Sequence, residues 1–236
     1  MKIAEIVIDF YRSIGIKTIF TVSGGGSIYL CDALQGSKKV NYVCCHHEQA
    51  AIFSAEGYAR SNRELGGVIA TTGPGGTNII TGLNSAYIEG TPLFVVTGQV
   101  FTTQSMMYSH VRQFGLQESN IVEISKPVTK KSVYLDDGKK IQETLEELYE
   151  IMISGRKGPV LLDIPADIQK DNLRSNRKWR IGKQKIVQNK KQNYATKHIA
   201  EMIENAERPI VLAGHGMVDT DCKENLLRTL EKIKIP

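Results

Sequence analysis

The chain has 236 residues, 41% apolar and 23% charged, with a formal net charge of +5. These values predict a packed soluble core of one domain plus part of another, or of two small domains, and the apolar runs are too short to span a bilayer. Glu5 and Asp9 interrupt the first apolar residues, so no signal peptide is expected.

The charge is local. Between Lys170 and Lys191 stand nine Lys or Arg and one acid, so the remainder of the chain is net acidic. A basic run can hold nucleic acid, but this one has a single aromatic, Trp179, and no nucleic-acid motif. We read it as a solvated linker, residues 170–194, and expect neither a nucleic-acid partner nor a membrane. Cys31, Cys44, Cys45 and Cys222 form no C-x-x-C pair and no zinc spacing, which predicts reduced thiols in a cytoplasmic protein.

Ile3, Ile6, Val7, Phe10 and Ile14 recur at helical spacing and predict a helix over 2–14, ended by Gly15. A strand over 17–22, the turn Ser23-Gly24-Gly25-Gly26-Ser27 and a helix over 28–34 follow. The next strand spans 40–44 and the next helix 48–61, with Ala50, Ala51, Ala55, Gly57 and Ala59 allowing close approach to a sheet. Residues 67–72 predict a buried strand, Gly73-Pro74-Gly75-Gly76 a loop, and 77–89 a helix started by Thr77 or Asn78. A strand over 92–97 leads into 99–117, which has no clear period and suits a mobile loop with a short helix. Then come a strand over 128–133, an amphipathic helix over 141–154 and a strand over 158–164 stopped by Pro165.

Strands alternating with helices imply an α/β domain over 1–169, with a mainly parallel sheet covered on both faces. Beyond the basic run, a helix over 196–205, a strand over 209–213, the turn Gly214-His215-Gly216 and a helix over 223–233 are expected. Residues 195–236 are too few to bury a core alone and read as the opening of a second α/β domain.

Ligands on such sheets sit beyond the carboxyl ends of the strands. The Ser23–Ser27 turn, Glu48 and the Gly73–Gly76 loop all directly follow strands, so they share that edge. None of the glycine clusters is a nucleotide fingerprint. Tyr29, Asn78 and Asp219 stand where the last glycine is needed, and no Gly-Lys-Ser/Thr exists. Each glycine cluster is either a tight turn or the wall of a pocket. Glu48 is either a helix-start charge favoured by the dipole or a catalytic acid in a dry site. His46 and His47 face opposite sides in a strand and suit structural roles. His110, in the polar loop, is a candidate for substrate contact.

At this point the residues match a family. The matching stretches are Phe20–Ser27, His47-Glu48-Gln49, Ala55–Arg60, Thr71–Asn78, Thr97-Gly98-Gln99-Val100, Gln117-Glu118 and Gly158–Pro165. In order and spacing they resemble the N-terminal pyrimidine-binding domain of thiamine diphosphate-dependent enzymes, closest to the acetolactate synthase group. Arg208–Gly216 is similar to the opening of that family's central Rossmann-like domain.

The resemblance implies the thiamine diphosphate-binding fold and assigns roles. Glu48 would hydrogen-bond the ring nitrogen of the cofactor's aminopyrimidine and so promote loss of the thiazolium C2 proton. Val22, Ser23, Gly24, Thr71, Thr72, Gly73, Pro74 and Asn78 would line the cofactor, and Gln117 would reach the reacting centre. The substrate would be a small 2-oxo acid such as pyruvate. The family's magnesium ligands and diphosphate motif lie in a further domain, so this chain is expected to hold no metal ligand and to be inactive alone. A second copy of the chain, or a chain carrying the diphosphate domain, is the implied partner. Flavin is allowed by the resemblance but unsupported by these residues. The alternative is a non-catalytic module that keeps the family's dimer surface.

Four features depart from the acetolactate synthases. Ser23 stands for the usual Pro, Leu116 for Phe and Ala166 for Lys, and the loop from Val100 to Gln117 is longer. The last three lie where substrates enter, so the resemblance carries the cofactor and leaves the acceptor open.

Overall fold

The computed structural model describes residues 1–106, 111–173, 178–182, 190–214, 216–219 and 222–233. His110, His215 and parts of the basic run lie outside the described residues. The chain forms two compact units, Met1–Gln184 and Lys185–Pro236.

The first unit is a six-stranded sheet in the order β2-β1-β3-β4-β6-β5, parallel throughout. Its strands are β1 (Thr18–Thr21), β2 (Asn41–Cys44), β3 (Gly66–Ala70), β4 (Leu93–Gln99), β5 (Lys131–Tyr134) and β6 (Val160–Pro165). The connecting helices are α1 (Ile3–Ser13), α2 (Ile28–Gly36), α3 (Glu48–Asn62), α4 (Pro74–Asn78), α5 (Ile80–Glu89), α6 (Ile121–Ser125), α7 (Ile141–Ile153) and α8 (Ala166–Lys170).

Successive strand residues face opposite sides, and the core divides accordingly. Ile19, Ile69, Phe94, Val96, Leu162 and Ile164 join one apolar cluster with α1, α2 and α7. Phe20, Val68, Ala70, Val95 and Leu161 join the other, with α3 and α5. The near-continuous apolar runs of β3, β4 and β6 follow from this, since both faces are covered. The buried Tyr11 hydroxyl lies 3.0 Å from the carbonyls of both Val68 and Phe94.

Three local expectations change. The helix expected from Thr77 begins at Pro74, with Pro in its first turn, and a break at Ile79 separates α4 from α5. Proline has no N–H to satisfy and a preset φ, so it starts a helix well. Two short helices, α6 and α8, had no periodic signal because five residues are too few to show one. Part of the basic run is not a free linker. Trp179 stacks edge-on against Phe10 at 4.8 Å and donates its indole N–H to Asp9 at 2.9 Å, while Arg180 N–H donates to Glu146.

The second unit contains α9 (Lys190–Glu204), α10 (Gly216–Asp219) and α11 (Lys223–Ile233). Residues 209–213, expected as a strand, carry no regular structure. A strand needs a hydrogen-bonding neighbour, and no other strand lies among the described residues of this unit.

Candidate functional site

Strand order places the site. From β1 the chain moves to β2 on one side, then returns past β1 to β3 on the other. The chain thus reverses its direction of travel at β1 and β3, the kind of switch point where ligands sit at the carboxyl edge of such sheets. Val22 and Ser23 follow β1, half-buried and exposed respectively, and Thr71 and Thr72 follow β3. The two turns are tied together, because Gly26 N–H donates to the Thr71 hydroxyl at 3.0 Å. Behind them the buried Gln169 amide donates to the carbonyls of Gly26 and Ile164, each at 2.7 Å.

Glu48 is the first residue of α3, capped by His47, whose Nδ1 accepts the Gln49 N–H at 3.1 Å. This bond fixes the entry angle of the helix and gives His47 the structural role its position suggested. Asn78 Nδ2 donates to Glu48 Oε2 at 2.9 Å. On the other carboxylate oxygen, any Cβ built on Gly75 would come within 3.2 Å of Oε1 and 2.6 Å of Thr71 Cγ2. Glycine at 75 thus leaves Oε1 an open approach, and that oxygen accepts no hydrogen bond among the described residues. The surroundings are wetter than the sequence suggested. Glu48 is half-buried, and its neighbours Gln49 and Ala50 are exposed.

Pro74 opens α4 at the rim, and Gly73 before it has φ +61. A Cβ on Gly73 would lie 1.9 Å from the carbonyl oxygen of Gln117, so only glycine fits there. Gln117 itself has φ +54, a left-handed conformation that is strained for a side-chain-bearing residue. Glu118 supports it. Its carboxylate, 8% exposed, accepts the Ser105 hydroxyl at 3.0 Å and the N–H groups of Met106, Gly115 and Phe114 at 2.6, 3.0 and 3.3 Å. One buried acid thus gathers both ends of the long loop beside this edge. Leu116, the neighbour of Gln117, is exposed.

Behind Thr72 runs a buried polar chain. The Thr72 hydroxyl donates to Gln99 Oε1, and Gln99 Nε2 donates to Asp163 Oδ2 at 3.0 Å. Thr97, register partner of Asp163 across β4 and β6, donates to Asp163 Oδ1 at 2.7 Å. Burial pushes the Asp163 carboxyl up to about 7, against the bonds from Thr97 and Gln99 that favour its charge, and the nearby Glu118 adds to the rise.

At this edge, contacts link Glu48 to Asn78, Glu48 and Thr71 to Gly75, Thr71 to Gly24 and Gly26, and Gly73 to Gln117, while Val22 and Ser23 follow β1 and Pro74 opens α4 there. The sequence supplied no role for Gln99, Glu118 or Asp163. For Asp163 the available signal was a polar residue inside a strand predicted to be buried on both faces, where it needs a partner, whereas Gln99 and Glu118 stood at the two ends of an aperiodic stretch that gave no such signal.

The carboxylate and its glycine-lined approach suit a flat ring that offers N–H donors, as an aminopyrimidine does. Among the described residues no group of three or more His, Cys, Asp or Glu could hold a metal ion. No described helix is long and apolar enough to cross a membrane.

Comparison with known proteins bears on this directly. The family model for the thiamine pyrophosphate enzyme, N-terminal TPP binding domain, matches residues 1–124. The probable acetolactate synthase large subunit of Methanocaldococcus jannaschii is 35% identical over 244 residues, covering 100% of this chain and 39% of that protein. The acetolactate synthase isozyme 3 large subunit of Escherichia coli (strain K12) is 33% identical over 240 residues, 99% of this chain and 40% of that protein. The chloroplastic acetolactate synthase of Arabidopsis thaliana is 33% identical over 238 residues, 100% of this chain and 34% of that protein. The chain thus spans well under half the length of these relatives. It belongs to the thiamine pyrophosphate enzymes and carries the N-terminal TPP-binding domain of their acetolactate synthase-like members.

Proposed function

We propose that this chain is the cofactor-activating part of a thiamine diphosphate-dependent carboligase or decarboxylase that acts on a 2-oxo acid such as pyruvate. The observation that carries the reading is Glu48, with Oε2 held by Asn78 and Oε1 left open across Gly75. When bound, thiamine diphosphate supplies the nucleophilic carbon and the electron sink for cleavage beside a carbonyl. Glu48 would share a proton with the pyrimidine ring nitrogen, donating it from the carboxyl group and accepting from the nitrogen once that atom carries it. Asn78 keeps the carboxylate turned toward the ring. Val22, Ser23, Gly24, Thr71, Thr72, Gly73 and Pro74 wall the ring, and Gln117 presents an amide to the substrate side. Magnesium and the diphosphate are assigned to a further domain, outside these residues.

The reading includes a partner. Tyr42 and Val43 on the edge strand β2, Phe53 on α3, and Phe114 and Leu116 beside Gln117 are all exposed. Exposed apolar side chains in such number suit an interface, and we assign it to a second copy of the chain or to a chain bearing the diphosphate domain. Unpaired β2 edge groups suit the same role. We divide the chain functionally into the pyrimidine-binding domain (1–169), a connecting segment (170–194) and the start of a central domain (195–236). A cytoplasmic location is supported by the four free cysteines.

The test is thiamine diphosphate binding by calorimetry, followed by product analysis with pyruvate and other 2-oxo acids, on the full-length protein. Saturable binding and carbon dioxide release are expected. The 236-residue chain alone is expected to release none, and turnover of pyruvate by it would overturn the assignment of the diphosphate site to another domain.

A further inference from the structure

The residues proposed to wall the ring form a cradle, and the buried amide of Gln99 behind it has no role in that proposal. Gln99, 3% exposed at the end of β4, is bonded through both lone pairs of its oxygen and both hydrogens of its nitrogen. Oε1 accepts the N–H of Val100 at 2.9 Å and the hydroxyl of Thr72. Nε2 donates to the carbonyl of Ser119 at 3.0 Å and to Asp163 Oδ2 at 3.0 Å.

Two of these partners are main-chain groups of fixed polarity. The Val100 N–H can only donate and the Ser119 carbonyl can only accept. Turning the amide over would set N–H against N–H and oxygen against oxygen, so the backbone determines its orientation. That orientation propagates outward. With Oε1 toward Thr72, the single hydroxyl proton of Thr72 must point at Gln99. What remains on Thr72 Oγ1 for a ligand is a lone pair.

The same amide joins two walls. Thr72 belongs to the turn whose next residue, Gly73, touches the Gln117 carbonyl, and Ser119 belongs to the loop that carries Gln117. Gln117 sits at φ +54, which persists only where surrounding bonds over-determine it. Glu118 supplies such bonds on one side and Gln99, through Ser119, on the other.

We propose that Gln99 is a positioning residue: it locks the Thr72–Gly73 turn to the Gln117–Ser119 loop and makes the Thr72 hydroxyl an acceptor-only group, selecting an N–H donor on the ligand in the cradle. The ligand's identity rests on the thiamine diphosphate reading; the locking of the two walls does not.

The test uses the full-length protein with Thr72→Val, Thr72→Ser, Gln99→Met and the Gln99→Met/Thr72→Val pair. Thiamine diphosphate affinity is measured by calorimetry and exchange of the Gln99 side-chain NH2 by NMR. Thr72→Val is expected to weaken binding about tenfold, the scale of one lost hydrogen bond. Thr72→Ser should stay within about threefold of the unchanged protein. Gln99→Met should weaken binding at least as much as Thr72→Val, and the pair should add less than about twofold, since the two act as one unit. Equal affinities for Thr72→Val and Thr72→Ser, or fully additive losses in the pair, would overturn the proposal.

Should Gln99→Met not fold, the Thr72 variants still decide the acceptor role. If the unchanged protein binds no thiamine diphosphate, the cofactor reading fails. NMR then judges the locking alone. Slow NH2 exchange at Gln99, speeded at least about tenfold by Thr72→Val, supports it, and exchange as fast as at the exposed Gln49 refutes it.

Discussion

Glu48 and Asp163 are carboxylates near the carboxyl edge of the same sheet, and their surroundings are opposite. Glu48 opens α3 beyond the edge strand β2, half-buried, with one oxygen bonded to Asn78. Asp163 lies inside β6, 1% exposed, with both oxygens bonded and its carboxyl pushed up to about 7. By burial and perturbation alone Asp163 would pass for the catalytic acid. Its surroundings say otherwise: each oxygen is bonded to a protein side chain, and at 1% exposure neither has an open approach for a ligand. The difference teaches that an acid at the sheet edge is a site candidate only when it keeps an unshared lone pair on an open path. Glu48 has one, and Asp163 has none.

The sharpest way to break this comparison is a charge-removing substitution at Glu48 in the full-length protein. Glu48→Gln keeps size and polarity but replaces a charge-assisted bond, about twice as strong as a neutral one, with a weaker one. Exchange of the thiamine diphosphate C2 proton, followed by NMR, is expected to slow by about two to four orders of magnitude. Thermal stability should change little, since an acid in the first turn of a helix is worth about 0.3–1 kcal/mol. Unchanged exchange would remove Glu48 from the chemistry.

Asp163 should behave in reverse. Asp163→Ala leaves the Thr97 hydroxyl and one Gln99 N–H buried without an acceptor. Each such group costs roughly 1–3 kcal/mol, so a loss of about 2–6 kcal/mol is expected by denaturant titration. A loss under about 0.5 kcal/mol, the range of ordinary surface substitutions, would show that the polar chain contributes little to the fold.

These two acids also mark how far the sequence could be read. The sheet and the site at its carboxyl edge were legible because strands of period two or continuous apolar character alternate with helices of period 3.6. Glu48 was legible because helix starts are local signals. Gln99 and Asp163 were not, because their significance is a contact across more than sixty residues of sequence. Within Val160–Pro165, Asp163 reads as a polar interruption, and nothing local says which group answers it. Glu118 is similar, since the donors it gathers belong to a stretch without period. Residues 209–213 failed for the opposite reason: a local strand pattern forms no strand without a neighbour to pair with.

The exposed rim sharpens the comparison from outside. Phe53, on the helix that Glu48 begins, is 42% exposed. A second copy of the chain covering this face would bury it, and Phe53→Glu would then place an unpaired charge in an apolar contact. A rise of about 30-fold in the dissociation constant for self-association, close to about 2 kcal/mol, is expected by sedimentation equilibrium. An unaltered association constant would move the interface away from α3.

The smallest effect separates the two acids by pH. The folded protein holds a proton on Asp163 up to about pH 7, whereas the unfolded chain releases it near 3.8. Between those values the folded state binds more protons, so stability falls as pH rises through the window. From about pH 6 to pH 8 this one group should account for a loss of about 1.4 kcal/mol. Each step of one in pH costs about 1.36 kcal/mol while the folded group keeps its proton and the unfolded one has lost it, and the folded group is about half protonated over the interval. Asp163→Asn isolates the effect. Its carbonyl can still accept from Gln99 and its amide can donate to the Thr97 hydroxyl, so the chain of bonds is kept while the titration is lost. The difference in unfolding free energy between the two proteins, measured at about pH 6, 7 and 8, should move by about 1.4 kcal/mol in favour of the Asn variant, most of it between about pH 6 and pH 7. Glu118, whose charge adds to the rise at Asp163, is common to both proteins and cancels in the difference only if its own charge is unaltered. Repeating the pair in a Glu118→Gln background therefore belongs to the measurement. A parallel pH dependence in the Asp and Asn proteins would mean that Asp163 is ionised throughout, with the Thr97 and Gln99 bonds outweighing its burial.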